Sequence, residues 1–238
     1  MASMQPINSN DTLDITHALY AGTTGAGKSV ATQKMKLIKP SDQVVFWDLY
    51  GQYRGKVFAD RQVRTYDKLS EFVVAVHAGR KTNQGFKIAF TPRFIPESKK
   101  EKRELFLKYC RIVYGFGDGH HKKTLHGVME EINRVTTTTG NEESIYGEML
   151  EVMRKYNVML HSVSQRLAPI PNTVIAMSGY KWVGVQEAIG DVERISRELG
   201  IHVDDIKKLN KLEYYFKSPG FGNIKKGKLT FKNSKNKT

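Results

Sequence analysis

The 238-residue chain carries 38 Lys and Arg against 24 Asp and Glu, and its net charge of +14 favours a polyanion partner, nucleic acid being the commonest, over a merely solubilising surface. Its length suits one α/β domain with a full core, and its single cysteine, Cys110, excludes an internal disulfide and points to a reducing compartment. No run approaches the ~18 apolar residues that cross a membrane, and Met1–Pro6 lacks a signal-peptide core.

Residues 1–16 are polar and broken by Pro6, Asn8, Asn10 and Asp11, which predicts a loosely held arm. His17–Ala21 reads as a short buried strand and Val30–Ile38 as a helix that stops before Pro40. Between them Gly22-Thr23-Thr24-Gly25-Ala26-Gly27-Lys28-Ser29 matches the phosphate-loop pattern G-x-x-x-x-G-K-[ST] in full. The glycines let successive N–H groups turn toward phosphate oxygens at a helix N-terminus. Gly22, Thr23, Thr24, Gly25, Ala26, Gly27, Lys28, Ser29 and Val30 are therefore the candidate ATP-binding set. Within it Lys28 reaches the β- and γ-phosphates and the Ser29 hydroxyl ligates Mg²⁺.

Gln43–Asp48 is an apolar run of strand length ending in an acid, followed by a loop through Gly51, Gln52 and Tyr53. Asp48 faces the nucleotide, faces a neighbouring subunit, or is a solvated strand-end acid; spacing alone leaves all three open. A short strand at 63–66, a helix over 67–79, a strand at 86–90 and a helix over 97–114 follow from their periodicity. Cys110 sits in the apolar pattern of that last helix and reads as a core filler. Gly115–Lys123 reads as a flexible basic loop, either a contact for nucleic-acid phosphates or a plain connector. Its paired His120 and His121 lack a third metal ligand at suitable spacing.

Thr124–Met129 is a mostly apolar strand that ends in Glu130 and Glu131. Adjacent acids at a strand end suit a triphosphatase: Glu130 holds Mg²⁺ through water, and Glu131 orients or deprotonates the attacking water. The alternative is an acidic helix cap. A helix over 144–156 leads to a strand, Val158–Val163, that ends in Ser164-Gln165-Arg166. The Gln165 amide is placed to sense the γ-phosphate, and Arg166 to do likewise or to face a neighbour. A strand at 180–185, a helix over 187–199 with Arg194 and Arg197 exposed, and a short helix at 203–209 come next. The end reads as a β-hairpin, 213–217 paired with 229–231, and then a disordered lysine-rich tail.

Together these elements resemble the FtsK–HerA superfamily of DNA-translocating ATPases. Within it they look most like the compact genome-packaging ATPases of tailless icosahedral double-stranded DNA viruses with an internal membrane. The resemblance rests on Ala21–Ser29, on Asp48 with Gly51-Gln52-Tyr53, on Glu130-Glu131 and on Ser164-Gln165-Arg166, and it spans about residues 15–200. It implies a three-layer, RecA-like α/β P-loop NTPase with a mostly parallel sheet, the Gln165 strand lying between the phosphate-loop and Glu130 strands. By domain the chain divides into an arm (1–15), an ATPase core (16–211), and a C-terminal hairpin with a basic tail (212–238).

The function implied is an ATP- and Mg²⁺-dependent motor that drives double-stranded DNA into a capsid. The partners implied are five further copies in a hexameric ring and the viral vertex or membrane proteins that recruit it, at the virion packaging vertex and in the host cytoplasm. Catalysis falls to Lys28, Glu131, Gln165 and Arg166, with an arginine from a neighbour drawn from Arg134, Arg166, Arg194 and Arg197. A family member usually carries Asp where this chain has Glu130, one methylene longer, which bears on the metal coordination. The alternatives are a plasmid or chromosome translocase of the same superfamily, or a non-motor P-loop kinase or nucleotide-gated assembly factor.

Overall fold

A computed structural model describes residues 4–137 and 139–230. In chain order the strands are β1 (Ala18–Ala21), β2 (Gln43–Trp47), β3 (Val57–Phe58), β4 (Arg61–Gln62), β5 (Arg64–Tyr66), β6 (Phe86–Phe90), β7 (Leu125–Met129), β8 (Val158–Ser164), β9 (Tyr180–Val183), β10 (Glu213–Lys217) and β11 (Ile224–Lys228). The helices are α1 (Lys28–Lys34), α2 (Leu69–Arg80), α3 (Lys99–Tyr114), α4 (Ile145–Val152), α5 (Asn172–Met177), α6 (Ile189–Leu199) and α7 (Val203–Lys207).

Nine strands form one sheet in the order β11-β10-β9-β1-β8-β7-β2-β6-β5, parallel from β9 to β5 and antiparallel at β10 and β11. The central strands are buried throughout because both sheet faces are covered. Leu19, Ala21, Val45 and Trp47 point into one core with α2 to α7. The alternating Ala18, Tyr20, Val44 and Phe46 point into a second with α1 and the β3–β4 hairpin. Cys110 fills the first core beside Phe106 and Val113. The β8 strand lies between β1 and β7, as the resemblance implies.

Register sets the site. Ala21 pairs with Ser164, and Trp47 with Met129, so the residues that follow β1, β2, β7 and β8 all emerge along one edge of the sheet. Open parallel sheets collect their ligands at that carboxyl edge.

Several elements differ from the sequence reading. Helix α1 ends at Lys34, not Ile38, because Lys36 adopts a left-handed φ of 59°. The turn that replaces the last helical residues is held by the buried Lys87, whose Nζ donates to the carbonyls of Lys39, Pro40 and Asp42 at 3.3, 3.4 and 2.8 Å. The helix read over 144–156 is α4 followed by a 3₁₀ turn, Met153–Tyr156. The hairpin partner of β10 is the lysine-rich 224–228 segment, not 229–231, and the predicted tail lies outside the described residues.

The Gly115–Lys123 loop and the described part of the arm hold each other, against the flexible loop and loose arm that the sequence predicts. Ile7 and Gly117 or Gly119 exchange backbone hydrogen bonds, Asn8 Nδ2 donates to Asp118 Oδ1 at 2.9 Å, and Lys155 pairs with Asp11 at 3.0 Å. His121 Nδ1 accepts from the Lys123 N–H at 2.9 Å, and its Nε2 donates to the Arg80 carbonyl at 2.9 Å. This region sits before β7, at the edge opposite the phosphate loop, so connector is the reading that its contacts favour.

Candidate active site

The phosphate loop is built by what surrounds it. Gly22 N–H donates to the Ser164 carbonyl and Thr23 N–H to that of Val185, which anchors the loop to the strand ends on both sides. Gly25 and Gly27 have φ of 79° and 100°, a region that costs other residues about 1–2 kcal/mol. A Cβ at Gly27 would also lie 2.6 Å from Leu229 Cδ1. The N–H groups of Thr24, Gly25, Gly27, Lys28 and Ser29 have no protein acceptor among the described residues. Lys28 Nζ curls back on the carbonyls of Gly22 and Thr23 at 2.7 and 3.1 Å. Burial pulls its ammonium below the ordinary lysine value, and the charges of Glu131 and Glu130 oppose that shift.

A cleft of about 560 Å³ opens over this loop, lined by Thr24, Gly25, Gly27, Lys28, Ser29 and Val30 together with Gln52, Glu130, Glu131 and Gln165. Gly22, Thr23 and Ala26 shape the loop from behind it. The two acids diverge because Glu131 takes a left-handed conformation, φ 54°, and opens a 3₁₀ turn over Ile132–Arg134. Glu130 is buried, and its Oε1 accepts from the Tyr53 hydroxyl at 2.5 Å. Burial raises its carboxyl to about 7; the Tyr53 bond and Lys28 lower it, while Asp48 and Glu131 push it up. Glu131 Oε1 accepts from Gln165 Nε2 at 2.6 Å, and its Oε2 is buried with no hydrogen-bond donor among the described residues. Gln165 thus meets the acid directly.

Asp48 does not line the cleft and is not a solvated strand-end acid. It is buried, with its carboxylate accepting from the backbone N–H groups of Gln52 and Tyr53 at 2.7 and 2.9 Å and from Thr91 Oγ1 at 3.3 Å. It folds the 49–53 loop so that the Tyr53 hydroxyl reaches Glu130. Sequence reading quoted Gly51-Gln52-Tyr53 as a motif without giving Tyr53 this role. It missed Lys211 and Leu212, which also line the cleft, altogether.

The arginines separate clearly. Arg194, read as exposed, is buried: Nη1 donates to the carbonyls of Leu167, Ala168 and Ile170, and Nη2 to Asn172 Oδ1. Those bonds hold the chain after β8 and leave no free fork for a neighbour. Arg166 does not line the cleft; its Nε meets the buried Asp191 carboxylate at 3.0 Å. Arg134 stays near the acids, 3.8 Å from Glu131 Oε2, and is largely exposed, as is Arg197.

No family model matches the chain. Protein P9 of Pseudoalteromonas phage PM2 is 24% identical over 226 residues, covering 93% of this chain and 94% of P9. The genome-packaging NTPase B204 from Sulfolobus turreted icosahedral virus 2, solved with AMPPCP, superposes with a TM-score of 0.64 at 14% identity, over 90% of this chain and 97% of B204. The chain shares the fold of the viral genome-packaging NTPases. The bacterial conjugative coupling protein TrwB shares it too, with a TM-score of 0.66 at 11% identity over 98% of this chain and 90% of TrwB. These likenesses are to a shared fold, and they bear out the three-layer NTPase fold that the resemblance implies.

Proposed function

We propose that the chain is an ATP-driven motor that moves double-stranded DNA into a viral capsid, as a hexameric ring at the packaging vertex, recruited there by vertex or membrane proteins from the host cytoplasm. The observation that carries this reading is the convergence of Lys28, Ser29, Glu130, Glu131 and Gln165 on one cleft, in a fold shared with genome-packaging NTPases. No described helix is long and apolar enough to cross a membrane.

The free N–H groups of the loop and Lys28 hold the triphosphate. Ser29 and Glu130 line the same cleft beside the loop and fit Mg²⁺, an ion that takes one or two carboxylates beside phosphate oxygens and water. When bound, Mg²⁺ neutralises charge on the β- and γ-phosphates. Glu131 accepts the proton of the attacking water, oriented by Gln165 through Oε1 and open at Oε2. Lys28 and an arginine from the adjacent subunit stabilise the transferring phosphoryl group. Arg134, Arg197 and Arg166 are the candidates, the last held at the surface by Asp191 and better placed to act across a subunit boundary than in its own cleft.

Tyr53 fixes one Glu130 oxygen and so positions the other for the metal's water shell. Tyr53→Phe is expected to weaken Mg²⁺ binding to the nucleotide complex about 10–100-fold. Calorimetric titration of Mg²⁺ at constant ATP analogue reads it, and nucleotide affinity without Mg²⁺ should stay near wild type. Equal Mg²⁺ affinity in both proteins would remove this role from Tyr53.

The motor itself is tested by the ATPase rate with and without duplex DNA, measured beside the mass of the particle. DNA-stimulated turnover in a six-fold particle is the expected result. A rate indifferent to DNA in every assembly state overturns the motor and returns the chain to the kinases or assembly factors. The likeness to TrwB supports a second reading, a plasmid or chromosome translocase, which shares the stimulated ATPase but does not fill capsids.

A further inference from the structure

The loop after β6 stands at the same sheet edge as the cleft, and no step of hydrolysis uses it. Thr91 and Pro92 are buried at its root, while Arg93, Phe94 and Ile95 stand out, Phe94 at 81% exposure. The Arg93 guanidinium lies 5.6 Å from the Phe94 ring centroid. Lys99 and Lys100 follow at the exposed start of α3, which a Ser98–Glu101 capping box fixes in place. Arg93, Lys99 and Lys100 make no ion pair among the described residues. An apolar tip ringed by unpaired cations suits a partner with an anionic backbone and apolar sugar faces. A protein docking site would favour the aromatic but not the exposed lysines, which are depleted at interface cores.

The root of this loop is bonded to the cleft. Thr91 Oγ1 donates to Asp48 Oδ2, Asp48 holds the Tyr53 N–H, and the Tyr53 hydroxyl holds Glu130. Phe221, an exposed aromatic with lysines nearby in the β10–β11 turn, has no such tie among the described residues. Because β10 runs antiparallel to β9, that turn lies at the opposite edge of the sheet.

We propose that Arg93–Ile95 with Lys99 and Lys100 grips the backbone of duplex DNA, and that the Thr91–Asp48–Tyr53–Glu130 hydrogen bonds couple this grip to the cleft. The inference rests on the DNA-translocating reading and assigns its DNA contact. Affinity for a labelled random-sequence duplex, measured by anisotropy over a salt series, tests the grip. Replacing Lys99 and Lys100 together by Ala is expected to reduce the slope of log affinity against log salt by about 1.8, two phosphate contacts' worth. Phe94→Ala should weaken binding at every salt concentration with the slope kept, and Phe221→Ala should bind as wild type. DNA-free ATPase stays at the wild-type rate in all three, which also reports folding. Wild-type affinity and slope in the first two variants overturn the grip while the motor stands; a wild-type protein that binds no duplex overturns both. For the coupling, Thr91→Val should keep DNA affinity but lose DNA stimulation, read as the ratio of turnover with and without duplex. Full stimulation in that variant overturns the coupling.

Discussion

Glu131→Gln is expected to keep ATP bound while cutting its hydrolysis about 10²–10⁴-fold, the range for removing a general base. The substitution is close to isosteric, and a glutamine oxygen still accepts from Gln165 Nε2, so the local geometry persists. What disappears is the proton acceptor and one negative charge beside the triphosphate. Repulsion of the phosphates falls, and ATP affinity should stay equal or rise. Lys28→Ala makes the opposite change: it removes the ammonium that lies among Glu130, Glu131 and the loop carbonyls, and both nucleotide binding and turnover should be lost. Fluorescent-nucleotide binding beside phosphate release separates the two. Wild-type turnover in Glu131→Gln would falsify its role as base, and unchanged turnover in Lys28→Ala would remove the nucleotide from this cleft.

Those two residues were legible in the sequence because their chemistry is written locally. A phosphate loop is eight consecutive residues, and a strand ending in acids carries its acids to the carboxyl edge whatever else the chain does. The partners that orient them were not legible. Tyr53 and Glu130 are 77 residues apart and meet only because β2 and β7 pair in one register. The sequence makes Gln165 a sensor of phosphate, and the resemblance sets its strand beside that of Glu130, but neither says that the amide meets Glu131. Adjacency to Gln165 predicts Arg166 in the cleft, but the next side chain along a strand end points elsewhere, here to Asp191.

The hairpin shows a different limit. Ile224-Lys225-Lys226-Gly227-Lys228 lacks the look of a strand because it is an edge strand, where exposed lysines deter edge-to-edge pairing. The more apolar Leu229, which the pattern assigns to the strand, instead packs on Gly27 at the phosphate loop. Similarly, Lys36 and Leu37 fit a helical pattern, and the turn that ends α1 there is imposed by Lys87, a residue on another strand.

Stability is expected to fall steeply as pH drops from 6.5 toward 5, because of three histidines buried in the sheet, His17, His126 and His161. One set of tautomers satisfies the network: Tyr20 donates to His161 Nδ1 at 3.4 Å, His161 Nε2 to His126 Nδ1 at 2.9 Å, and His126 Nε2 to Asp42 at 3.4 Å. A second proton on His161 would face a donor rather than an acceptor. Burial lowers all three histidines, His17 to about 4 and His161 well below the ordinary value, while Asp42 partly opposes the shift at His126. Depressed native values mean that the unfolded chain takes up protons first. Their contribution is therefore complete above pH 6.5 and is lost as pH falls toward the native values, at up to about 1.4 kcal/mol per histidine per pH unit. Summed, that is large beside a typical stability of about 5–15 kcal/mol. Glu130 works in the opposite sense, since a carboxyl raised to about 7 favours the fold as pH drops through that value. Urea midpoints at pH 7.5, 6.5 and 5.5 should therefore fall in the wild type and fall more steeply in Glu130→Gln, which lacks the opposing carboxyl. Midpoints that stay level across this window in both proteins would show that the buried histidines already carry protons in the fold.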